Sequence, residues 1–218
     1  MIEFDNVSKT YQNKWPALVN VSFKVEKGEF VFITGPTGAG KTTILKLIYA
    51  EELPTTGKVI VNNKNISLIK KKELPFYRRN IGIIFQDFKL LYDRTVYENL
   101  EFVLKAIDIK GDEIREKIIR TLTRLGLAHK KDCYPYQLSG GEQQKVAIAR
   151  ALVKDPEIIL ADEPTGNIDE EASKEIINIF KEINLMGTTV IMATHHSELP
   201  QLLKKRRLHI ISGRIAYD

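Results

Sequence analysis

The sequence predicts an α/β fold in which a helical subdomain interrupts a core of buried strands, and three observations carry that prediction. Short continuous apolar runs at residues 30–33, 158–160 and 189–193 have the character of strands buried on both faces. Helical patterns follow the first two runs, the alternation expected of an α/β sheet. Between them, residues 87–153 change character and carry apolar positions at helical spacing.

Taken in order, Val21, Phe23 and Val25 alternate with Ser22, Lys24 and Glu26, the period of a half-buried strand. The run at 30–33 leads into a glycine-rich stretch, after which Ile44, Leu45 and Ile48 recur at helical spacing: strand, loop, helix. Residues 54–57 are turn-prone and 58–61 read as another strand. In the helical part Val96, Leu100, Val103, Leu104 and Ile107 share one face, and Ile114, Ile118, Leu122 and Leu125 share another. Thr95, with Glu98 three residues on, forms a capping box at the first helix start. The β/α alternation resumes with the strand at 158–160, a helix over about 169–183 and the strand at 189–193. Residues 208–217, with Ser212-Gly213 between two apolar stretches, read as a hairpin. One domain is expected, its core at about 1–86 and 154–218 and its helical subdomain at about 87–153.

Composition excludes several functions. No apolar run approaches the roughly 20 residues that cross a bilayer, so membrane association is expected through a partner. The first residues carry Glu3 and Asp5 and lack an apolar signal region, so no export is expected. Cys133 is the one cysteine, which rules out an internal disulfide and reads as a small, partly buried apolar residue. The net charge of +5 is a weak pointer to a polyanion. Its local clusters, Lys70 to Lys72 and Lys204 to Arg207, lack the interleaved aromatics that stack bases, so both read as solvated surface and no nucleic acid is expected.

Three motifs carry chemistry. Gly35-Pro36-Thr37-Gly38-Ala39-Gly40-Lys41-Thr42-Thr43 matches the P-loop pattern, in which glycines turn backbone N–H groups toward phosphate oxygens at a helix N-terminus. Lys41 is placed for the β- and γ-phosphates and the Thr42 hydroxyl for Mg²⁺. An apolar strand then delivers Asp162 and Glu163 at its C-terminal end; Asp162 suits a hold on Mg²⁺, and Glu163 suits the general base that orients the attacking water. Leu138-Ser139-Gly140-Gly141-Glu142-Gln143 begins a helix. Ser139 and Glu142 have capping-box spacing, and two glycines in the first turn imply close approach to the backbone, an anion being the natural candidate.

In this order, with Gln86 and His195 between and after them, the motifs resemble the nucleotide-binding domain of ABC ATPases along nearly the whole chain. The resemblance implies a P-loop NTPase (RecA-like) core, an N-terminal antiparallel β subdomain and an inserted α-helical signature subdomain. It implies ATP and Mg²⁺, and a homodimer closing head to tail on ATP, in which Ser139 and Gly141 act on the nucleotide held by the opposite subunit. By the same resemblance Tyr11 stacks on adenine, Gln86 senses Mg²⁺ and the γ-phosphate, Asp169 communicates across the dimer, and His195 contacts the γ-phosphate. His196 stands where many relatives carry an acid or amide; His195 is preferred because it directly follows the strand at 189–193.

Within the family the chain is similar to the short ATPases serving lipoprotein release, macrolide-type export and cell division, and the phrase Phe85-Gln86-Asp87-Phe88-Lys89-Leu90-Leu91 is most like the cell-division group. That implies an integral membrane partner, a place at the cytoplasmic face of the membrane and control of cell-wall hydrolysis; an exporter ATPase shares every catalytic residue. A DNA-repair or translation ABC protein requires long coiled coils or tandem cassettes, which this sequence lacks. Residues 87–97, with Phe88, Leu90, Leu91 and Tyr92, are expected to offer partly exposed apolar side chains to the membrane partner.

Overall fold

The computed structural model describes residues 1–12, 16–196 and 198–218. Its elements in chain order are β1 (Ile2–Thr10), β2 (Pro16–Val25), β3 (Phe30–Thr34), α1 (Lys41–Ile48), β4 (Thr56–Val61), β5 (Lys64–Asn65), α2 (Leu74–Arg79), β6 (Ile81–Ile84) and α3 (Val96–Ala106). They continue through α4 (Asp112–Arg124), α5 (Gly140–Leu152), β7 (Ile158–Asp162), α6 (Glu170–Leu185), β8 (Thr189–Thr194), α7 (Leu199–Leu202), β9 (Arg206–Ile211) and β10 (Arg214–Tyr217). The chain forms two compact units, residues 1–78 with 187–218, and residues 79–186.

The first unit carries an antiparallel sheet in the order β2-β1-β4-β5. Alternate residues of β2 are buried because one face of that sheet is covered, and Phe23 stacks on Phe4, its register partner on β1, with centroids 4.5 Å apart. The same unit holds strands in the order β10-β9-β3-β8. β3 has parallel neighbours on both sides, β8 and β9, and all five of its residues are buried, which is why its sequence is a continuous apolar run. The expected hairpin is present as β9–β10, but β9 also joins β3. The basic run before it is partly structural. Arg206 donates to the Asp218 carboxylate, to Glu29 at 3.2 Å and to the Lys24 carbonyl at 2.6 Å, while Arg207 lies over the Tyr217 ring at 4.6 Å.

In the second unit β6 pairs in parallel with β7, and α3, α4, α5 and α6 supply the helices. Val96, Leu100 and Leu104 of α3 are buried, as are Ile114, Ile118, Leu122 and Leu125 on and after α4, the faces their spacing predicts. The Thr95 capping box forms as expected: Thr95 Oγ accepts from Glu98 N–H at 3.2 Å, and Glu98 accepts from Thr95 N–H at 2.7 Å. Asn99, within the apolar stripe of α3, has no exposed surface. Its amide donates to the carbonyls of Leu91, Arg94 and Thr95 and accepts from Leu91 N–H, so one side chain closes the irregular backbone ahead of α3. Asn99→Leu removes these bonds and buries the orphaned carbonyls. It is expected to cost about 2–4 kcal/mol, read as a lower urea midpoint with unchanged slope.

Candidate active site

In each unit some of the predicted residues directly follow the C-terminal ends of parallel strands, the edge at which open α/β sheets receive ligands. In the first unit the glycine-rich loop leaves β3 after Thr34. Thr34 is in register with Thr194 of β8 and His209 of β9, and its hydroxyl lies 2.9 Å from His209 Nδ1. His195 follows Thr194 directly, so the parallel register sets it beside the start of the loop. Its exposed ring lies 4.2 Å from that of His196, also exposed.

Close backbone approaches hold the loop. A Cβ on Gly35 would sit 2.1 Å from the Ile210 carbonyl oxygen, and one on Gly40 2.6 Å from that of Ala17, both at positive φ. Gly213 N–H donates to Ala39 O at 3.1 Å, and Val19 N–H donates to Gly213 O at 2.8 Å, which ties the β9–β10 turn and β2 to the loop. α1 begins at left-handed Gly40 without a side-chain cap, unlike α3, α5 and α6, whose first turns are bonded by Thr95, Ser139 and Asp169. A helix N-terminus left uncapped after a glycine-rich turn is a ready phosphate site. Lys41 is buried and donates to the Gly35 and Pro36 carbonyls at 2.9 and 3.2 Å, while Pro36, Thr37, Gly38 and Thr42 are exposed and Ala39 and Thr43 buried. Half-buried Tyr11 stands at the same helix start, its hydroxyl 3.4 Å from Thr43 Oγ, beside a surface pocket of about 500 Å³ lined by Lys9, Thr10, Tyr11, Gln12 and Glu52.

In the second unit Ile84 of β6 is in register with Ala161 of β7, so Gln86 and Glu163, each two residues further on, leave the sheet side by side. Glu163 is left-handed, φ 48°, and its carbonyl accepts from Gly166 N–H at 3.1 Å. A Cβ on Gly166 would touch Gln86 Nε2 at 3.6 Å and Glu163 Cβ at 3.8 Å, so this turn rests against the glutamine. Asn167 Nδ2 donates to Gln86 O at 2.9 Å, a link that no local pattern announces. Half-buried Asp162 precedes Glu163, and exposed Asp169 caps α6 by accepting from Ala172 N–H at 2.8 Å.

The signature segment lies in the same unit. Ser139 is exposed and forms the expected capping box with Glu142. The Ser139 N–H, with the Lys130 ammonium 3.2 Å away, holds the Glu142 carboxyl below the ordinary glutamate range. The close approach that the glycines imply is met at Gly141 from within the chain. That residue is buried, and a Cβ there would lie 2.8 Å from Ala172 Cβ, so what approaches is the first turn of α6. Gly140 faces Asn167 O and Ile168 at 3.5 Å.

Among the described residues no group of three or more His, Cys, Asp or Glu is clustered for a metal. Mg²⁺ accompanying a nucleoside triphosphate needs only one or two protein donors beside phosphate and water. Thr42 in the first unit, and Asp162 and Gln86 in the second, each carry a side-chain oxygen of the hard kind that Mg²⁺ takes.

The model of the family described as ABC transporter matches residues 18–166. The cell division ATP-binding protein FtsE of Bacillus subtilis is 48% identical over 218 residues, covering 100% of this chain and 96% of the relative. FtsE of Escherichia coli is 46% identical over 215 residues, covering 99% and 97%. A solved dimer of the ATP-binding cassette MJ0796 in a post-hydrolysis state, bound to ADP and Pi, superposes with a TM-score of 0.89 at 35% identity, covering 100% of this chain and 97% of that one.

If Gly141 is glycine because α6 crowds it, Gly141→Ala should destabilise the chain by about 1–3 kcal/mol, the range of an overpacked core. Ala172→Gly in the same chain should then recover most of the loss in thermal midpoint. No recovery would mean that something other than α6 excludes the methyl group.

Proposed function

The chain belongs to the ABC transporter family, and on that premise we propose that it is the ATPase subunit of a cell-division machine, closing as a homodimer on ATP and acting on an FtsX-like integral membrane protein. Members of this family bind ATP with Mg²⁺ and hydrolyse it, and so does this chain. ABC ATPases dimerise and work with membrane components; no helix among the described residues is long and apolar enough to cross a membrane. The peripheral place at the cytoplasmic face, the FtsX-like partner and the control of wall hydrolysis are our reading. The observation that carries it is full-length similarity to relatives named for cell division. Residues 87–153 serve as the signature-bearing helical subdomain on this reading.

The site residues take these roles. The N–H groups of the loop from Gly35 to Thr43 bind phosphate oxygens, and Lys41 neutralises charge on the β- and γ-phosphates. Thr42, Asp162 and Gln86 are the residues that would hold Mg²⁺, which would supply charge to offset that developing on the phosphates. Tyr11 packs on the adenine. Glu163 orients the attacking water and accepts its proton, Gln86 and His195 fix the water against the γ-phosphate, and Asp169 carries the state of the site toward the second subunit. Ser139 and the N–H groups that follow it act on the nucleotide of the opposite subunit, with Glu142 holding that helix start in shape.

Glu163→Gln keeps the shape and removes the base. It should retain ATP affinity, lose at least about 100-fold in turnover, and accumulate as a dimer with ATP on size exclusion. Turnover at the wild-type rate would reassign the base.

The membrane partner is proposed to rest on residues 87–97. Leu90 is buried and Phe88 and Leu91 half-buried, whereas Tyr92 keeps half its surface exposed, which makes it the anchor. Tyr92→Ser should lower capture of a co-expressed FtsX-like protein about tenfold, a loss larger than any change in ATP hydrolysis by the isolated chain. Capture at the wild-type level would place the docking surface elsewhere.

A further inference from the structure

Between β6 and α3 the chain runs without regular structure, and several of its carbonyls are taken up by side chains. Gln86 O receives Asn167 Nδ2, as described above, and Asn99 closes the far end of the segment. The middle is held differently. Phe88 and Lys89 are consecutive left-handed residues, φ 56° and 49°, a conformation that side chains bearing a Cβ disfavour. Their two carbonyl oxygens both accept from Arg150, Phe88 O from Nη2 at 2.8 Å and Lys89 O from Nη1. Arg150 lies on the last turn of α5, the helix that Ser139 begins.

We propose that Arg150 is a positioning residue for Gln86: its planar fork holds two consecutive left-handed carbonyls in place and so fixes the path by which the loop presents Gln86, joining that loop to the helix that starts at Ser139. The inference rests on the reading of Gln86 as a ligand of Mg²⁺ and the γ-phosphate. Three features support it. A guanidinium presents two parallel donors in fixed geometry, which matches adjacent carbonyls where an ammonium is a single point charge. The arrangement is retained although burial pushes the Arg150 pKa down, with Asp87, the residue between Gln86 and Phe88, opposing that shift. A second bond runs the same way, since Tyr92 Oη donates to Gln143 Oε1 of α5 at 3.1 Å, so the segment is tied to one helix at two points. With Asn167 on Gln86 O, three residues of the loop that bear on Gln86 depend on side chains more than sixty positions away.

The test uses the full chain and reads kcat and KM for ATP beside the thermal midpoint. Arg150→Met keeps length and apolar bulk but removes the fork; kcat is expected to fall about tenfold with KM within about threefold, as for a misplaced but intact catalytic group. Phe88→Gly with Lys89→Gly makes the left-handed path unstrained. Added to Arg150→Met, the pair should restore at least about threefold in kcat without restoring the thermal midpoint, and alone it should leave kcat within about threefold of wild type. A purely structural arginine would give parallel losses of kcat and midpoint that the glycines deepen, and that result overturns the proposal, as does wild-type kcat in Arg150→Met or a large loss from the glycine pair alone. Should Arg150→Met fail to fold, Arg150→Lys carries the same comparison: reduced kcat relieved by the glycines is expected, and wild-type kcat refutes the need for the fork. Gln86→Ala run alongside separates the two readings. Wild-type turnover there removes the role of Gln86, whereas slow turnover there with fast turnover in Arg150→Met removes only the role of Arg150.

Discussion

A loop that is to receive phosphate must be rigid, and the first unit is organised around that requirement. Rigidity comes from the loop's carbonyls and from the absence of Cβ atoms. Ala39 O is taken by Gly213 N–H, and the Gly35 and Pro36 carbonyls by Lys41. Gly35 and Gly40 let the backbones of β9 and β2 approach to distances that no side chain would permit. The N-terminus of α1, where a serine or aspartate is normal, has a left-handed glycine and no cap. A glycine-rich turn at an uncapped helix start suits an anion.

The second unit solves the opposite problem. The segment after Gln86 has carbonyls to satisfy and no strand to satisfy them, so donors come from side chains: Asn167, Arg150 and Asn99, each from a different element. A backbone held in this way is ordered without being regular. Two of these bonds come from segments next to other predicted site residues, Asn167 from the turn after Glu163 and Arg150 from the helix that Ser139 begins.

What was legible in the sequence followed from local physics. The buried strands announced themselves because β3, β7 and β8 are covered on both faces, and the capping boxes at Thr95 and Ser139 are contained in four residues each. β1 was not legible. Its register shifts between Phe4 and Val7, where Asn6 is left-handed at φ 49°, so Ile2, Phe4 and Val7 are all buried but break the period of two. Arg150 and Asn167 were visible as residues, one in a helix of high propensity and one in a motif, but their partners lie 62 and 81 positions away. No window of sequence contains both ends of such a bond.

Gly141 shows how a motif can be specific for more than one reason at once. Read locally, a glycine in the first turn of a helix costs stability and so implies that something comes close. Within the chain that neighbour is Ala172, in the first turn of α6. α6 is capped by Asp169, and the residues between Gly166 and Asp169 face Gln86 on one side and Gly140 on the other. The missing methyl group at Gly141 thus sets how near the signature helix lies to the turn that leaves Glu163. A side chain there would not need to touch a nucleotide to impair hydrolysis; it would only need to move α6 away by the radius of a methyl group, taking Asn167 and its hold on Gln86 with it.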